Sequence, residues 1–315
     1  MRIRTKTALR VGLITLALST SAIAPAAAAT NPAPIPDDDS SGVQPVYTAS
    51  QLTQIKDKNA LAAEYYAEKT GGGTPGKYAS MFSAYKQRWG AAGPRSGSPA
   101  ATAMTSSTSS SSSMTPMAAY TQNHLSGYYQ VAESPGYYCG PASGYSNMNY
   151  MGFWTSNDGY NVSLSQSALA GSRYMQTAAN GTTTWGSNDW ASGSNNWAGG
   201  GGYLPTGAYY EQHDPGSTMV TDLTTDIDAG QPFGADTVEV YRGPHYNGHP
   251  DRQTSIGHWL GVFGYDNSGA NTEFADSSTS IFPNAQRYFN TVNEPTAPST
   301  TAFANTYLST NGIAY

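Results

Sequence analysis

Tyr137-Tyr138-Cys139-Gly140-Pro141-Ala142-Ser143 holds the single cysteine of the 315-residue chain. Cys-Gly-Pro-Ala reads as a turn that delivers a sulfur to the start of a helix. Proline is tolerated in a first helical turn, where its missing N–H would have had no partner. Beyond it, Ala142, Tyr145, Met148 and Met151 recur every three residues, so a helix is expected over 139–151. A thiol at that position faces unpaired N–H groups and the positive end of the helix dipole, which favour a thiolate. The ordinary alternative is a buried free cysteine acting as a small hydrophobe.

The compartment weighs against that alternative. Arg2, Arg4, Lys6 and Arg10 precede a mostly apolar stretch, Val11 to Ala24, and Ala27-Ala28-Ala29 then offers small residues before Thr30. This pattern reads as a signal peptide over 1–29, and the expectation is a secreted, extracellular protein. No other stretch is long and apolar enough for a membrane span, so no stable membrane insertion is expected. The leader carries basic residues and no acid, so its removal makes a chain of formal charge −6 more acidic still. That argues against nucleic acid as the main partner. With one cysteine, disulfides cannot hold the fold, and a lone thiol kept in an oxidising compartment points to a job that needs a thiolate.

Composition divides the rest. Thr30 to Ser41 is an acidic, Pro-rich lead. Ala49 to Lys69 has helical periodicity, Gly71-Gly72-Gly73-Thr74-Pro75-Gly76 breaks it, and Tyr78 to Trp89 reads as a second helix. Residues 30–90 thus form an N-terminal helical segment. Residues 91–117 collapse to Ser, Ala, Thr, Gly and Pro, with a serine run from Ser106 to Ser113 broken only by Thr108, and read as a linker. Residues 118–315 form the main domain. Its cations are only Arg173, Arg242, Arg252 and Arg287, and all five lysines outside the leader precede the linker. One reading of 30–90 is a pro-segment that covers the site until the linker is cut; the other is a spacer or an incidental helical hairpin.

Within the main domain, Tyr128 to Val131 reads as a short extended segment. Ser163 to Tyr174 reads as a helix with Ser163 and Gln166 as a capping box, and Thr221 to Ala229 as a helix ended by Gly230. Asn180 to Gly202 reads as a long ordered loop. Pro232 to Tyr241, His258 to Tyr265 and Thr272 to Asp276 read as strands. Asp266-Asn267-Ser268-Gly269 is a turn, so the last two strands should pair as an antiparallel hairpin.

That hairpin supplies partners for a thiol. A nucleophilic cysteine needs a base, a group that orients the base, and donors for the oxyanion. His258 sits at the rim of a strand, a rigid mounting for a general base. A turn centred near Ser268 places Asp276 opposite about Leu260, one step from His258. Its carboxylate can accept an Nδ1–H bond from His258 and fix the tautomer. Asp266 lies at the far end of the strand. The ordinary alternatives are a structural histidine and a strand-end cap.

The Cys-Gly-Pro-Ala helix start, the later Gly257-His258-Trp259-Leu260-Gly261-Val262-Phe263-Gly264-Tyr265-Asp266 strand and Asp276 one strand on resemble the C39-like family of papain-fold cysteine peptidases. Gly230-Gln231-Pro232 is similar to that family's Gly-X-Pro entry to the strand before the histidine strand. The resemblance covers roughly 128–282. It implies an α+β papain-like fold, with the Cys-bearing helix packed on an antiparallel sheet that carries His and Asp. It also implies hydrolysis of a peptide or protein substrate through a thioester, with no cofactor. Family members carry a glutamine about six residues before the cysteine as an oxyanion donor. Here that position is Glu133. Three arrangements remain open: a protonated Glu133, Gln130 reaching the site along a different path, or a hole built from backbone alone.

Competing readings keep the triad but act on cell-wall peptides or transfer acyl groups, or make the protein a peptide- or glycan-binding module. His245 and His249 have the i, i+4 spacing of helical metal ligands, but Pro244, Gly248 and Pro250 argue against a helix and no metal is expected. They are expected on a loop that lines the cleft. Trp185, Trp190, Trp197, Tyr203, Tyr209 and Tyr210 are either a binding wall or core packing. Oligomeric state is not legible from these features.

Overall fold

A computed structural model describes residues 43–89 and 121–315. The expected signal peptide, most of the acidic lead and the Ser-rich linker lie outside the described residues.

The N-terminal segment is a helical hairpin, α1 (Ala49–Lys69) and α2 (Lys77–Trp89). Thr48 and Gln51 close a capping box at the start of α1, each side chain bonding the other's backbone N–H. The main domain begins with β1 (Asn123–His124) and α3 (Cys139–Tyr150). Short helices α4 (Gln166–Leu169) and α5 (Thr177–Asn180) and the longer α6 (Asp189–Ala198) follow. Then come β2 (Glu211–His213), α7 (Met219–Asp228), β3 (Phe233–Glu239), β4 (Ile256–Asp266), β5 (Asn271–Ala275), β6 (Tyr288–Asn290), α8 (Thr300–Tyr307) and β7 (Gly312–Ala314). The strands form one antiparallel sheet in the order β2-β7-β3-β4-β5-β6, with β1 also paired to β4.

Strand alternation sorts the helices into two layers. Val262 lies directly opposite Phe274, and Phe274 packs on Phe303 of α8 at 4.5 Å between ring centroids. Trp259 has the other parity and stacks on Trp190 of α6 at 5.5 Å. So α8 and α6 cover opposite faces. The Cys-bearing α3 is locked into the second layer by Trp190, whose Nε1 donates to Ser143 Oγ at 2.9 Å. Gly140 is required here, because a Cβ would collide with the side chain of Thr183. Trp259 Nε1 in turn donates to the Thr183 carbonyl at 3.0 Å, so one loop ties α3 to the histidine strand.

The aromatics are core. Trp185, Trp190, Trp197 and Tyr209 are wholly buried and Tyr210 nearly so, which removes the binding-wall reading for them. Each such side chain contributes about 1.5–3 kcal/mol on burial. They suit a domain with few charges and no disulfide.

Three local expectations are corrected. Residues 180–202 are not a loop throughout, because α6 runs through them. Trp190 and Trp197 stand seven residues apart on its buried face. The helix expected over 163–174 shrinks to α4. Ser165, not Ser163, is its cap, and Gln166 bonds Ala132 O and Ser134 N instead of closing a box. Tyr128–Val131 is irregular, and the strand on that side lies at Asn123–His124. The described hairpin 43–89 docks on the main domain through α7 and the β2–β7 edge. Lys69 bonds Asp228 at 2.9 Å, Lys58 lies 3.6 Å from Asp226, and Glu211 N donates to Tyr47 Oη at 2.8 Å.

Candidate active site

Three elements deliver the candidate residues. Cys139 is the first residue of α3, His258 the third of β4, and Asp276 follows β5 directly. The β4–β5 register pairs Gly261 with Ala275, so Asp276 falls beside the start of β4 as the hairpin required. The turn between them places Asn267, Ser268 and Gly269 all at positive φ.

His258 Nε2 bonds Asp276 Oδ1 at 2.9 Å. This corrects the sequence expectation, which had Nδ1 facing the carboxylate. Nδ1 makes no hydrogen bond to the described residues and is left for the thiol. One polar side-chain atom each from Glu133, Cys139 and His258 lie within 4.8 Å of one another. All four groups are buried, with Cys139 the most exposed at 7%. Burial works against charging His258, but the Asp276 carboxylate and the Cys139 sulfur hold its pKa well above the usual histidine range. Burial likewise opposes ionisation of Asp276, but His258 and His249 hold its carboxyl well below the usual range.

The two oxyanion candidates separate. Glu133 stands at the site, its N–H donating to Ser277 O at 3.0 Å and its carbonyl accepting from Ser280 Oγ at 3.0 Å. Its Oε1 is buried without a hydrogen-bond partner. Burial pushes its carboxyl up to about 7; Asp276 adds to this, and His258 and His249 oppose it. A protonated Glu133 has the donor that an amide would otherwise supply. The Gln130 side chain is engaged by its neighbours. Its Nε2 donates to Val131 O at 3.0 Å, and its Oε1 faces the Tyr128 hydroxyl, which is bonded to Asn147 two turns along α3.

Asp276 is saturated. Oδ1 also accepts from Ser278 N at 2.7 Å, and Oδ2 from Asn247 Nδ2 at 2.7 Å and His249 Nε2 at 2.8 Å. His249 Nδ1 bonds Glu239 Oε2 at 2.6 Å. These partners escaped sequence reasoning except for His249, which was expected only on a loop lining the cleft. His245 and His249 do lie on the β3–β4 connection, outside any helix. Among the described residues, two triads of donor atoms are compact enough to hold a cation, Glu133–Cys139–His258 and His249–His258–Asp276. They are made of the candidate catalytic residues and their partners, and we assign them no metal.

The model of the Peptidase_C39 like family matches residues 114–315. No curated protein and no solved structure matches the chain.

Proposed function

The chain belongs to the Peptidase_C39 like family, and we propose that it is a cysteine peptidase working through Cys139, His258, Asp276 and Glu133. The observation that carries this is the setting of His258: Nε2 is tied to Asp276 at 2.9 Å, Nδ1 has no hydrogen-bond partner among the described residues, and the Cys139 sulfur lies within 4.8 Å of a ring nitrogen.

In this reading His258 Nδ1 takes the thiol proton and Cys139 Sγ attacks the peptide carbonyl. The tetrahedral oxyanion is met by the N–H of Cys139 at the start of α3 and by the protonated Glu133 carboxyl. The proton on His258 passes to the leaving amine and a thioester forms. Water, deprotonated by the same Nδ1, then releases the acid and restores the thiol. Asp276 keeps the imidazole in one tautomer and one orientation throughout. The substrate is a peptide or protein. The leader read in residues 1–29 supports action outside the cell.

A small thiol-reactive probe at a pH of about 5–6 tests the assignment, because an unactivated thiol is mostly protonated there. Labelling of Cys139 that disappears in His258→Ala supports the enzyme. Labelling no faster than a model thiol would point to a peptide-binding module on the same fold.

A further inference from the structure

The carboxylate that orients His258 is itself held by a second imidazole. His249 lies between Asp276 Oδ2, 2.8 Å from its Nε2, and Glu239 Oε2, 2.6 Å from its Nδ1. Both ring nitrogens therefore face carboxylate oxygens. A neutral imidazole has one N–H and could donate to only one of them. The ring and both carboxylates are buried, so a repulsive N···O contact at either distance would go unrelieved by water. The assembly is consistent when His249 carries two N–H groups and a positive charge.

The surroundings agree. Asp276 directly follows β5 and Glu239 ends β3, so two strands bring the acids to the ring. His258 on β4 faces it with ring centroids 5.5 Å apart, and Tyr246 and Phe282 pack on it at 4.6 Å each. Ser278 Oγ is 3.1 Å from Nε2. Glu294, which accepts from Asn247 N, and Glu133 are the remaining acids that sense the ring. Burial disfavours the charge on His249, but its bonds to Asp276 and Glu239 outweigh burial and hold its pKa above the usual histidine value. Glu239 is anchored in turn by Tyr246 N at 3.1 Å and His245 Nδ1 at 3.2 Å.

We propose that His249 and Glu239 are positioning residues: His249 is a buried imidazolium that fixes the Asp276 carboxylate and offsets part of its charge on His258. This rests on the peptidase reading for its catalytic meaning. The consequence follows from sign alone. Asp276 raises the basicity of His258; a cation on the other oxygen of Asp276 lowers it again. His258 is thereby kept able to release its proton to a leaving amine. Glu239 controls this through His249, because without its charge the imidazolium loses one of its two counter-ions.

The chain has five histidines, few enough for nitrogen-15 NMR of the imidazole rings in the full-length protein. His249 is assigned by loss of its signal in His249→Gln, or by its coupling pattern if that variant fails to fold. The expected result is a ring with both nitrogens protonated at pH 8. In Glu239→Gln, a near-isosteric change, His249 should lose a proton by pH 8 and the His258 midpoint should rise by about one pH unit. A His249 ring with one bare nitrogen at pH 7 in the unaltered protein would overturn the proposal. So would a Glu239→Gln variant whose His258 midpoint does not move. Neither readout depends on turnover, so its failure would leave the peptidase reading standing, and loss of that reading would leave the titration intact.

Discussion

His258 bonds Asp276 Oδ1 through Nε2 at 2.9 Å, leaving Nδ1 as the ring nitrogen that the carboxylate does not engage. The orientation follows from where the two strands end. Asp276 lies just past β5, alongside the start of β4, while the thiol comes from the helix layer.

Asp276→Asn should therefore do more than remove a charge. Asp276 accepts four hydrogen bonds, from His258, Ser278, Asn247 and His249. An amide presents N–H to at least one of these donors and unsettles the tautomer. We expect kcat/KM to fall by about 10²–10⁴-fold, with the helical circular dichroism retained.

In the proposed mechanism, Glu133 sets a limit on the alkaline side. Its carboxyl, pushed up to about 7, is a donor below that pH and a repelling anion above it. Peptidase activity should fall as the pH rises through about 7. Glu133→Gln places a permanent donor there, and the fall near 7 should vanish from its pH profile. A profile unchanged by the substitution would remove Glu133 from the oxyanion site.

Stability should follow the same direction. Glu133 is raised to about 7 and Asp222 to about 8, in each case by burial first. The folded chain then binds more protons than the unfolded chain from about pH 4 upward, so stability falls as pH rises across the interval from about 4 to 8. The thermal midpoint should be lower at pH 8 than at pH 5 by about 5 °C or more. The opposite slope would show these acids to be ionised in the fold.

The hairpin 43–89 should stay bound after the Ser-rich stretch is cut. Its polar contacts go to the main domain's α7, its loops, its sheet edge and Tyr265 on β4, and none of those observed reaches Glu133, Cys139, His258 or Asp276. Lys58 and Lys69 are 3% and 5% exposed, so their removal would strand buried aspartates. Limited proteolysis within 91–117 should leave both pieces co-eluting with activity unchanged. Lys58→Met should destabilise the chain by about 3–5 kcal/mol. Release of the hairpin with a rise in activity would instead support the pro-segment reading.

Much of this was legible in the sequence because it is local. The Cys139 helix needs only period and proline placement, and the His258–Asp276 relation needs only a turn at 266–269 and a count along two strands. Glu133 was legible as a departure from a pattern, but its proximity to the thiol was not. The failures are long-range. Helix α6 is rich in Gly, Asn and Ser, poor helix formers, and forms because Trp190 and Trp197 are buried by distant partners. Strand β7 is three residues at the chain end, held between β2 and β3. The Asn247–His249–Glu239 cluster joins a loop to two strand ends, and no spacing rule signals it. Choosing between the two ring nitrogens of His258 needed the third dimension.

The central claim is that Cys139 is the nucleophile of a peptidase. The most direct measurement is a peptide-library digest at a pH of about 6, read by mass spectrometry, with the full chain and with Cys139→Ala. The account predicts new peptide termini with the unaltered chain and none with the variant. Equal cleavage by both, or no cleavage by the unaltered chain, would contradict it.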